Sequence, residues 1–223
     1  MTMSENLDPY TYWENRSSAG RTWSGNVNAA LEREVGEIAP GTALDLGSGE
    51  GGDALWLERR GWSVTAVDIS PSAIEIGRAD QQPDDDITWV VADLTEWQPP
   101  AMYDLVTACF LHSSVGGLPR EAILRRVAAA VAPGGHLLVV GHAGVPPWAG
   151  HDAAGQDAAA RHHAAVELPT PEEVRAQLFE AGVGLDESEW TVVTSALVPR
   201  LATAPDGSTA PIDDSVLMLR RAG

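Results

Sequence analysis

Short apolar runs alternate with helix-like segments between residues 42 and 141, and no other feature limits the possible folds as strongly. The apolar runs occupy residues 42–46, 63–67, 87–91, 103–110 and 136–141. Between them, several segments repeat apolar residues at helical spacing, as Ile123, Leu124 and Val127 do. Strands that alternate with helices pair in parallel through right-handed crossovers. The pattern therefore predicts an α/β fold with helices on both faces of a parallel sheet.

Helix and strand signals also flank this region. One helix is predicted over residues 26–38, and another runs from a capping box that begins at Thr170 to Gly182. Two β-rich runs, at residues 190–198 and 215–219, predict a terminal antiparallel pair.

A glycine-rich loop follows the first predicted strand. Gly47, Gly49 and Gly52 permit a tight turn and let a ligand approach the backbone where the next helix begins. The same spacing satisfies the dinucleotide pattern G-x-G-x-x-G, which alone is a weak signal. Asp45 and Glu50 put carboxylates in or beside the loop, where they repel a pyrophosphate and attract a cation. The charges favour a ligand that carries an ammonium and a sulfonium, as S-adenosylmethionine does.

Carboxylates also follow the second and third predicted strands. Asp68 lies about 20 residues beyond the glycine loop, where a carboxylate meets ribose hydroxyls in nucleoside-binding α/β folds. Alternatively it caps the next helix, although Ser70 already has the position of an N-cap. Asp93 suits a hydrogen bond from the exocyclic amine of adenine, with Leu94 against the ring; alternatively, Asp93 forms a turn.

Five motifs, taken in order, resemble those of the class I S-adenosylmethionine-dependent methyltransferases. They are ALDLGSGEG from residue 43, VD from 67, AD from 92, YDLV from 103 and APGGHLLV from 132, and they cover about residues 42–141. Upstream, YWE at residues 12–14 and WSGN at residues 23–26 are similar to the thiopurine and tellurite-resistance methyltransferase group. Residue 48 is a serine where that family usually has cysteine or glycine.

This resemblance implies a Rossmann-like three-layer α/β/α sandwich with a seven-stranded, mostly parallel sheet and one antiparallel strand near the C-terminus. It also implies methyl transfer from S-adenosylmethionine, with S-adenosylhomocysteine as product. The glycine loop would hold the methionine part, and the next two acids would hold the ribose and the adenine. Two tryptophans would cover the cofactor, and the end of the fourth strand would line the site. The residues so implied are Trp13, Trp23, Asp45, Gly47, Ser48, Gly49, Asp68, Ile69, Asp93, Leu94, Cys109 and Phe110.

A length of 223 residues suits a single domain better than two. We divide it into an N-terminal helical cap (1–40), a cofactor-binding half (41–141), an insert (142–170) and a C-terminal helix and strand pair (171–223). The insert is rich in alanine, glycine, proline and histidine, and we interpret it as a substrate-binding lid with Trp148 as its apolar face.

Charge and composition limit the partners. The formal net charge is −18 and the sequence has no lysine, so nucleic-acid phosphates and anionic membranes are repelled and a small-molecule acceptor is expected. No apolar run approaches the ~18 to 20 residues that span a bilayer, and the N-terminus lacks the features of a secretory signal. The expectation is a cytoplasmic monomer or homodimer.

Other titratable residues are weaker candidates. His112 follows the fourth strand and is the candidate general base for an O–H or N–H acceptor; alternatively, it shapes the pocket or caps the next helix. Cys109 is interpreted as a small buried residue rather than a nucleophile. No metal is expected, because four histidines near the insert lack the spacing of a compact site: His142, His151, His162 and His163.

Two other functions are compatible with parts of the pattern. A nicotinamide-dependent oxidoreductase rests on the glycine spacing alone, and a chain without lysine lacks the Tyr-x-x-x-Lys of one large dehydrogenase group. A non-catalytic protein that binds S-adenosylmethionine would keep the pocket without the transfer site.

Overall fold

Parallel strands dominate the sheet of this protein. A computed structural model of the chain describes residues 8–112, 117–144, 168–182, 184–203 and 207–223. Seven strands occur within them: β1 Thr42–Leu46, β2 Ser63–Asp68, β3 Ile87–Val91, β4 Tyr103–Cys109, β5 Val131–His142, β6 Trp190–Thr203 and β7 Thr209–Arg221. They form one sheet in the order β3-β2-β1-β4-β5-β7-β6. Strand β7 alone runs in the direction opposite to the other six. The predicted sheet is confirmed.

Six α-helices lie in the described part of the chain: α1 Pro9–Ser17, α2 Ala29–Val35, α3 Gly52–Glu58, α4 Pro71–Asp80, α5 Arg120–Ala128 and α6 Pro171–Leu178. Polar caps fix where several of them begin. Ser70 accepts a hydrogen bond from the Ala73 amide at the start of α4. The predicted capping box of α6 is present, because Thr170 and Glu173 bond reciprocally.

The helices cover both faces of the sheet. On one face, α5 and α6 bury Ile123, Leu124 and Val174 against the central strands. On the other face, α2, α3 and α4 bury residues such as Leu31 and Ile74. These two apolar cores give the three-layer α/β/α architecture that the strand–helix alternation predicts.

Several boundaries differ from the predictions. The helix predicted over residues 26–38 starts later, because the Asn28 side chain caps it by accepting the Ala30 and Leu31 amides. Helix α1 was not predicted, since its sequence has no apolar period; Asp8 caps it and Pro9 begins it. Strand β4 ends one residue early, because Phe110 has a φ of 53° and so leaves the extended conformation.

The two C-terminal strands are longer than predicted. Strand β6 continues beyond Val198 through Pro199, which an edge strand tolerates because it need not donate a ladder hydrogen bond there. Strand β7 starts at Thr209 rather than near Ser215. These extensions bring Arg200 and Asp214 to the edge of the sheet where ligands bind in α/β folds.

Part of the sequence lies outside the described residues. This includes most of the insert predicted over residues 142–170, with Trp148, His151, His162 and His163. The interpretation of that insert as a lid therefore stays a prediction. Within the described ranges, no helix combines the length and apolarity needed to cross a bilayer, and no three histidine, cysteine or acidic residues are grouped to hold a metal ion.

Candidate functional site

A cavity of about 950 Å³ lies beyond the carboxyl ends of β1 to β4, next to the switch in strand order between β1 and β4. The loops after those four strands form one side of it, and α1 with residues 23–29 forms another. Every site residue predicted from the sequence lines this cavity: Trp13, Trp23, Asp45, Gly47, Ser48, Gly49, Asp68, Ile69, Asp93, Leu94, Cys109, Phe110 and His112.

The glycine loop, residues 45–52, turns sharply at the end of β1. Gly47 and Gly49 have φ values of 64° and 52°, which only glycine adopts without strain. The loop is tied to β2, because the Ser48 amide donates to the Val67 carbonyl at 3.0 Å. A Cβ on Gly49 would meet nothing closer than the Trp23 indole nitrogen, 3.9 Å away. The backbone of the loop is therefore open to the cavity beneath Trp23.

Asp68 joins the end of β2 to the glycine loop. One oxygen of its carboxylate accepts the Gly49 amide at 2.8 Å, and the other accepts the Ser70 amide at 2.8 Å. Burial raises the pKa of Asp68 above its ordinary value, while these backbone hydrogen bonds oppose the rise. Ser70 caps α4 as predicted, so the helix does not depend on Asp68 for that role.

Asp45 lies at the floor of the cavity and is 2% exposed. Its Oδ1 accepts the Thr107 hydroxyl at 2.8 Å, but its Oδ2 has no hydrogen-bond partner among the described residues. Burial raises the pKa of Asp45 well above its ordinary value, and the charges of Asp53 and Asp68 raise it further. The site thus holds several carboxyls that repel one another.

Buried oxygens without partners concentrate at this cavity. The described residues have four buried side-chain oxygens that lack a hydrogen bond, and three belong to cavity residues: Asp45, Ser48 and Asp214. Native proteins satisfy almost all of their buried polar atoms, so such exceptions call for a physical explanation. Bound molecules that donate hydrogen bonds would explain all three.

Asp93 forms the turn that its alternative interpretation predicted. Its Oδ1 accepts the Thr95 amide at 2.8 Å, and its carbonyl accepts the Glu96 and Trp97 amides. Leu94 beside it is 7% exposed and packs into the core as well as lining the cavity. A turn role and a cavity position are therefore compatible at this strand end.

Two glutamates organise the cover of the cavity, and sequence analysis assigned neither this role. Glu50 is 3% exposed and accepts the Thr22 and Trp23 amides at 2.6 and 3.1 Å. It therefore holds Trp23 over the loop, whereas the sequence suggested that it presents a charge to the ligand. Glu14 of α1 accepts the Ser70 and Ser72 hydroxyls and so fixes α1 against α4.

Aromatic rings gather where β4 ends. The Phe110 ring stacks on His142, with centroids 4.4 Å apart and planes 26° apart. His112 Nδ1 bonds the Phe110 carbonyl, and its ring meets His142 edge-on at 5.5 Å. Because a carbonyl only accepts, Nδ1 carries a proton in this contact.

Cys109 precedes these rings and is partly buried. Burial raises the pKa of its thiol well above the ordinary value, as do the charges of Asp53, Asp45 and Asp214. The thiol therefore stays protonated, consistent with its interpretation as a packing residue. Burial likewise raises the pKa of Asp53, whose carboxylate accepts the Asn28 amide at 2.6 Å.

Comparison with known proteins agrees with this geometry. Residues 43–135 match the methyltransferase domain family. The match covers less than half of the chain. The matched region spans β1 to the first part of β5, and it contains the glycine loop, Asp68, Asp93 and the end of β4. The resemblance seen in the sequence is confirmed at the level of domain family and fold.

Individual relatives match this chain over part of their length. Hemagglutinin 1 of Eikenella corrodens is 32% identical over 123 residues, which is 51% of this chain and 38% of that protein. Demethylmenaquinone methyltransferase of Tropheryma whipplei is 30% identical over 105 residues, covering 47% and 43% respectively. The chain thus spans less than half the length of either relative. The N-methyltransferase NodS of Bradyrhizobium japonicum WM9, crystallised with S-adenosylhomocysteine, shares the fold with a TM-score of 0.61 at 16% identity, covering 99% of this chain and 92% of NodS.

Proposed function

We propose that the chain binds S-adenosylmethionine in this cavity and transfers its methyl group to a small-molecule acceptor by in-line displacement. When bound, the cofactor supplies a methyl group activated by its sulfonium. The observation that carries the proposal is the pair of partnerless buried oxygens at the glycine loop, Asp45 Oδ2 and Ser48 Oγ. Both residues line a cavity with room for a nucleoside, and both oxygens suit hydrogen bonds from an ammonium.

The charge of the cavity supports a cationic ligand. Asp45, Asp53 and Asp68 have raised pKa values because burial, and for Asp45 also its neighbours' charges, disfavours their ionised forms. A bound cation compensates for that cost, whereas a pyrophosphate increases the repulsion. The same balance disfavours a nicotinamide dinucleotide, and NodS, which shares the fold, was crystallised with S-adenosylhomocysteine.

The remaining cavity residues suit the nucleoside. Each Asp68 oxygen accepts one backbone amide and keeps a second lone pair for a ribose hydroxyl. Ile69, Asp93 and Leu94 line the side next to it and form the proposed adenine site. Trp23, held by Glu50, and Trp13 of α1 would cover the cofactor and exclude water.

Positioning is the main task that such a reaction leaves to the protein. The acceptor atom must approach the methyl carbon to about 3 to 3.5 Å in a desolvated site. The rings of Phe110, His112 and His142 border the part of the cavity where this approach would occur. His112, which lines this part of the cavity, is the candidate base if the acceptor is a hydroxyl or an amine. A thiol or a metalloid acceptor would not require it.

Two observations support a small-molecule acceptor: the net charge of the chain and the name of one relative. A net charge of −18 disfavours nucleic acid as a substrate. Demethylmenaquinone methyltransferase, which aligns over part of this chain, is named for a small-molecule substrate.

Calorimetry with S-adenosylmethionine, S-adenosylhomocysteine and NAD(P) tests the binding claim. The first two should bind and the dinucleotides should not. Transfer of a labelled methyl group to a panel of small hydroxyl, amine, thiol and metalloid acceptors then separates an enzyme from a non-catalytic binding protein. A folded sample that takes up neither sulfur-containing nucleoside would refute the proposal.

A further inference from the structure

Strands β5, β6 and β7 bring three charged or titratable side chains to the far end of the cavity, outside the matched methyltransferase domain. Asp214 of β7 is the register partner of His142 on β5 and of Val198 on β6. Its diagonal neighbour on β6 is Arg200, whose Nε donates to Asp214 Oδ2 at 2.7 Å. Directly opposite and diagonal residues of an antiparallel pair share one face of the sheet. All three side chains line the cavity.

Asp214 has an unused hydrogen-bond acceptor in this position. The residue is 4% exposed, and its Oδ1 has no hydrogen-bond partner within the described ranges. Leaving a buried carboxylate oxygen without a donor destabilises the folded state. Its neighbour Arg200 is already engaged by Oδ2, so it does not satisfy Oδ1. A donor group on a bound molecule would satisfy Oδ1 instead.

Aromatic and aliphatic side chains also lie near Asp214. Phe110 stacks on His142, and the Arg200 guanidinium carbon lies 5.7 Å from the Phe110 ring centre. Ile212 and Ala202 contribute apolar surface from β7 and β6. Stacked rings and aliphatic side chains suit a planar molecule, and a single convergent polar atom fixes its orientation.

We propose that Asp214 is the acceptor-binding residue, and that it selects uncharged planar molecules with an O–H or N–H that donates to Oδ1. This inference rests on the proposed function, because it identifies the molecule that receives the methyl group. An anionic acceptor is disfavoured, since its charge would lie beside the Asp214 carboxylate and would compete with it for Arg200. The O–H or N–H of such a molecule would supply the hydrogen bond that Asp214 Oδ1 lacks.

Three matched probes test the preference: β-naphthol, its methyl ether and β-naphthoate. Each is titrated by ligand-observed NMR into protein loaded with S-adenosylhomocysteine. Naphthol should bind about tenfold or more tightly than the other two, the loss typical of a hydrogen bond to a charged group. Asp214→Asn should abolish that preference and leave the affinity for S-adenosylhomocysteine unchanged. Asp213→Asn is the control, because Asp213 is the adjacent exposed residue.

The outcomes separate the two proposals. If S-adenosylhomocysteine does not bind, the proposed function fails. If it binds but naphthol shows no advantage, if no probe binds, or if Asp214→Asn keeps the advantage, the acceptor site is refuted while the cofactor site stands. Should Asp214→Asn fold poorly because Arg200 loses its partner, the double variant R200Q/D214N removes both members of the ion pair and gives the same reading.

Discussion

The Asp68 carboxylate accepts the Gly49 amide at 2.8 Å and so connects the ends of two neighbouring strands. A second hydrogen bond, from the Ser70 amide, fixes the other carboxylate oxygen. The loop that would hold the methionine part and the acid that would hold the ribose are therefore shaped by one another. Such preorganisation lowers the ordering cost of ligand binding.

Asp68→Ala should weaken binding of S-adenosylhomocysteine by about 1 to 3 kcal/mol, the loss typical of hydrogen bonds to a charged group. The substitution removes the proposed ribose contacts and releases the Gly49 amide. Isothermal calorimetry measures the change, with Asp84→Ala as the control because Asp84 is exposed and does not line the cavity. Unchanged affinity would show that the ribose assignment is wrong.

Asp45→Asn should stabilise the ligand-free protein while weakening cofactor binding. The amide keeps an oxygen for the Thr107 hydroxyl and removes a buried charge that Asp53 and Asp68 repel. We expect an increase of about 1 kcal/mol in the free energy of unfolding at neutral pH, as is common when a functional site is relieved of strain. Chemical denaturation and calorimetry measure the two effects. Asp104→Asn, at the other end of the sheet, should give no stabilisation, because Asp104 accepts two hydrogen bonds from Thr42.

The stability of the ligand-free protein should fall as the pH rises, whereas its affinity for a cationic ligand should increase. The pKa values of Asp45, Asp53 and Asp68 are raised in the folded protein, so their protonated forms stabilise it. This contribution is complete below the ordinary pKa of aspartate and is lost as the pH rises through the raised values. A cationic ligand favours the ionised carboxyls, so its affinity should rise over the same interval.

Thermal unfolding between about pH 5 and about pH 8 measures this linkage. The increase in Tm caused by S-adenosylmethionine should be larger at the upper end. S-adenosylhomocysteine, which lacks the sulfonium charge, should show a smaller dependence. An equal Tm increase at every pH for both ligands would mean that the carboxyls do not respond to the charge of the ligand.

Two glycines of the loop should respond differently to alanine. Gly49→Ala incurs only the strain of a left-handed φ, about 1 to 2 kcal/mol, because its Cβ would meet nothing closer than 3.9 Å. It should mainly impair cofactor binding, since the methyl group points into the cavity beneath Trp23. Gly51→Ala adds a clash, because its Cβ would come within 2.4 Å of the Trp89 ring. The free energy of unfolding should therefore fall by about 1 to 3 kcal/mol more for Gly51→Ala than for Gly49→Ala. Equal losses for the two variants would contradict this prediction.

The sequence identifies the residues that line the cavity after β1, β2 and β3, because the determinants of those loops are local. Glycines before a helix and acids at strand ends act where they stand in the chain, and strands β1 and β3 have the predicted bounds. The roles of Glu50 and Glu14 were not predictable in this way. Each bonds backbone or hydroxyl groups 27 to 58 residues away in the chain, and no local pattern specifies such partners.

The far end of the cavity was missed for a different reason. Arg200 and Asp214 lie in strand extensions where proline and charged residues interrupt the apolar alternation, so the pattern ended both strands too early. Their pairing depends on the register of β6 with β7, which only the folded sheet fixes. The partnerless oxygen of Asp214 is likewise a property of packing rather than of sequence.

His112→Ala tests whether this ring takes part in the transfer. With a hydroxyl or amine acceptor that the protein methylates, kcat should fall by about a hundredfold or more, because a positioned base typically contributes that much. The KM for S-adenosylmethionine should change much less than kcat, since the proposed methionine, ribose and adenine contacts lie after β1, β2 and β3. His136→Ala is the control: His136 pairs in register with Leu105 near the start of β4 and does not line the cavity. Full turnover of His112→Ala on its physiological acceptor would exclude the residue as a base and would favour an acceptor that ionises without help, such as a thiol.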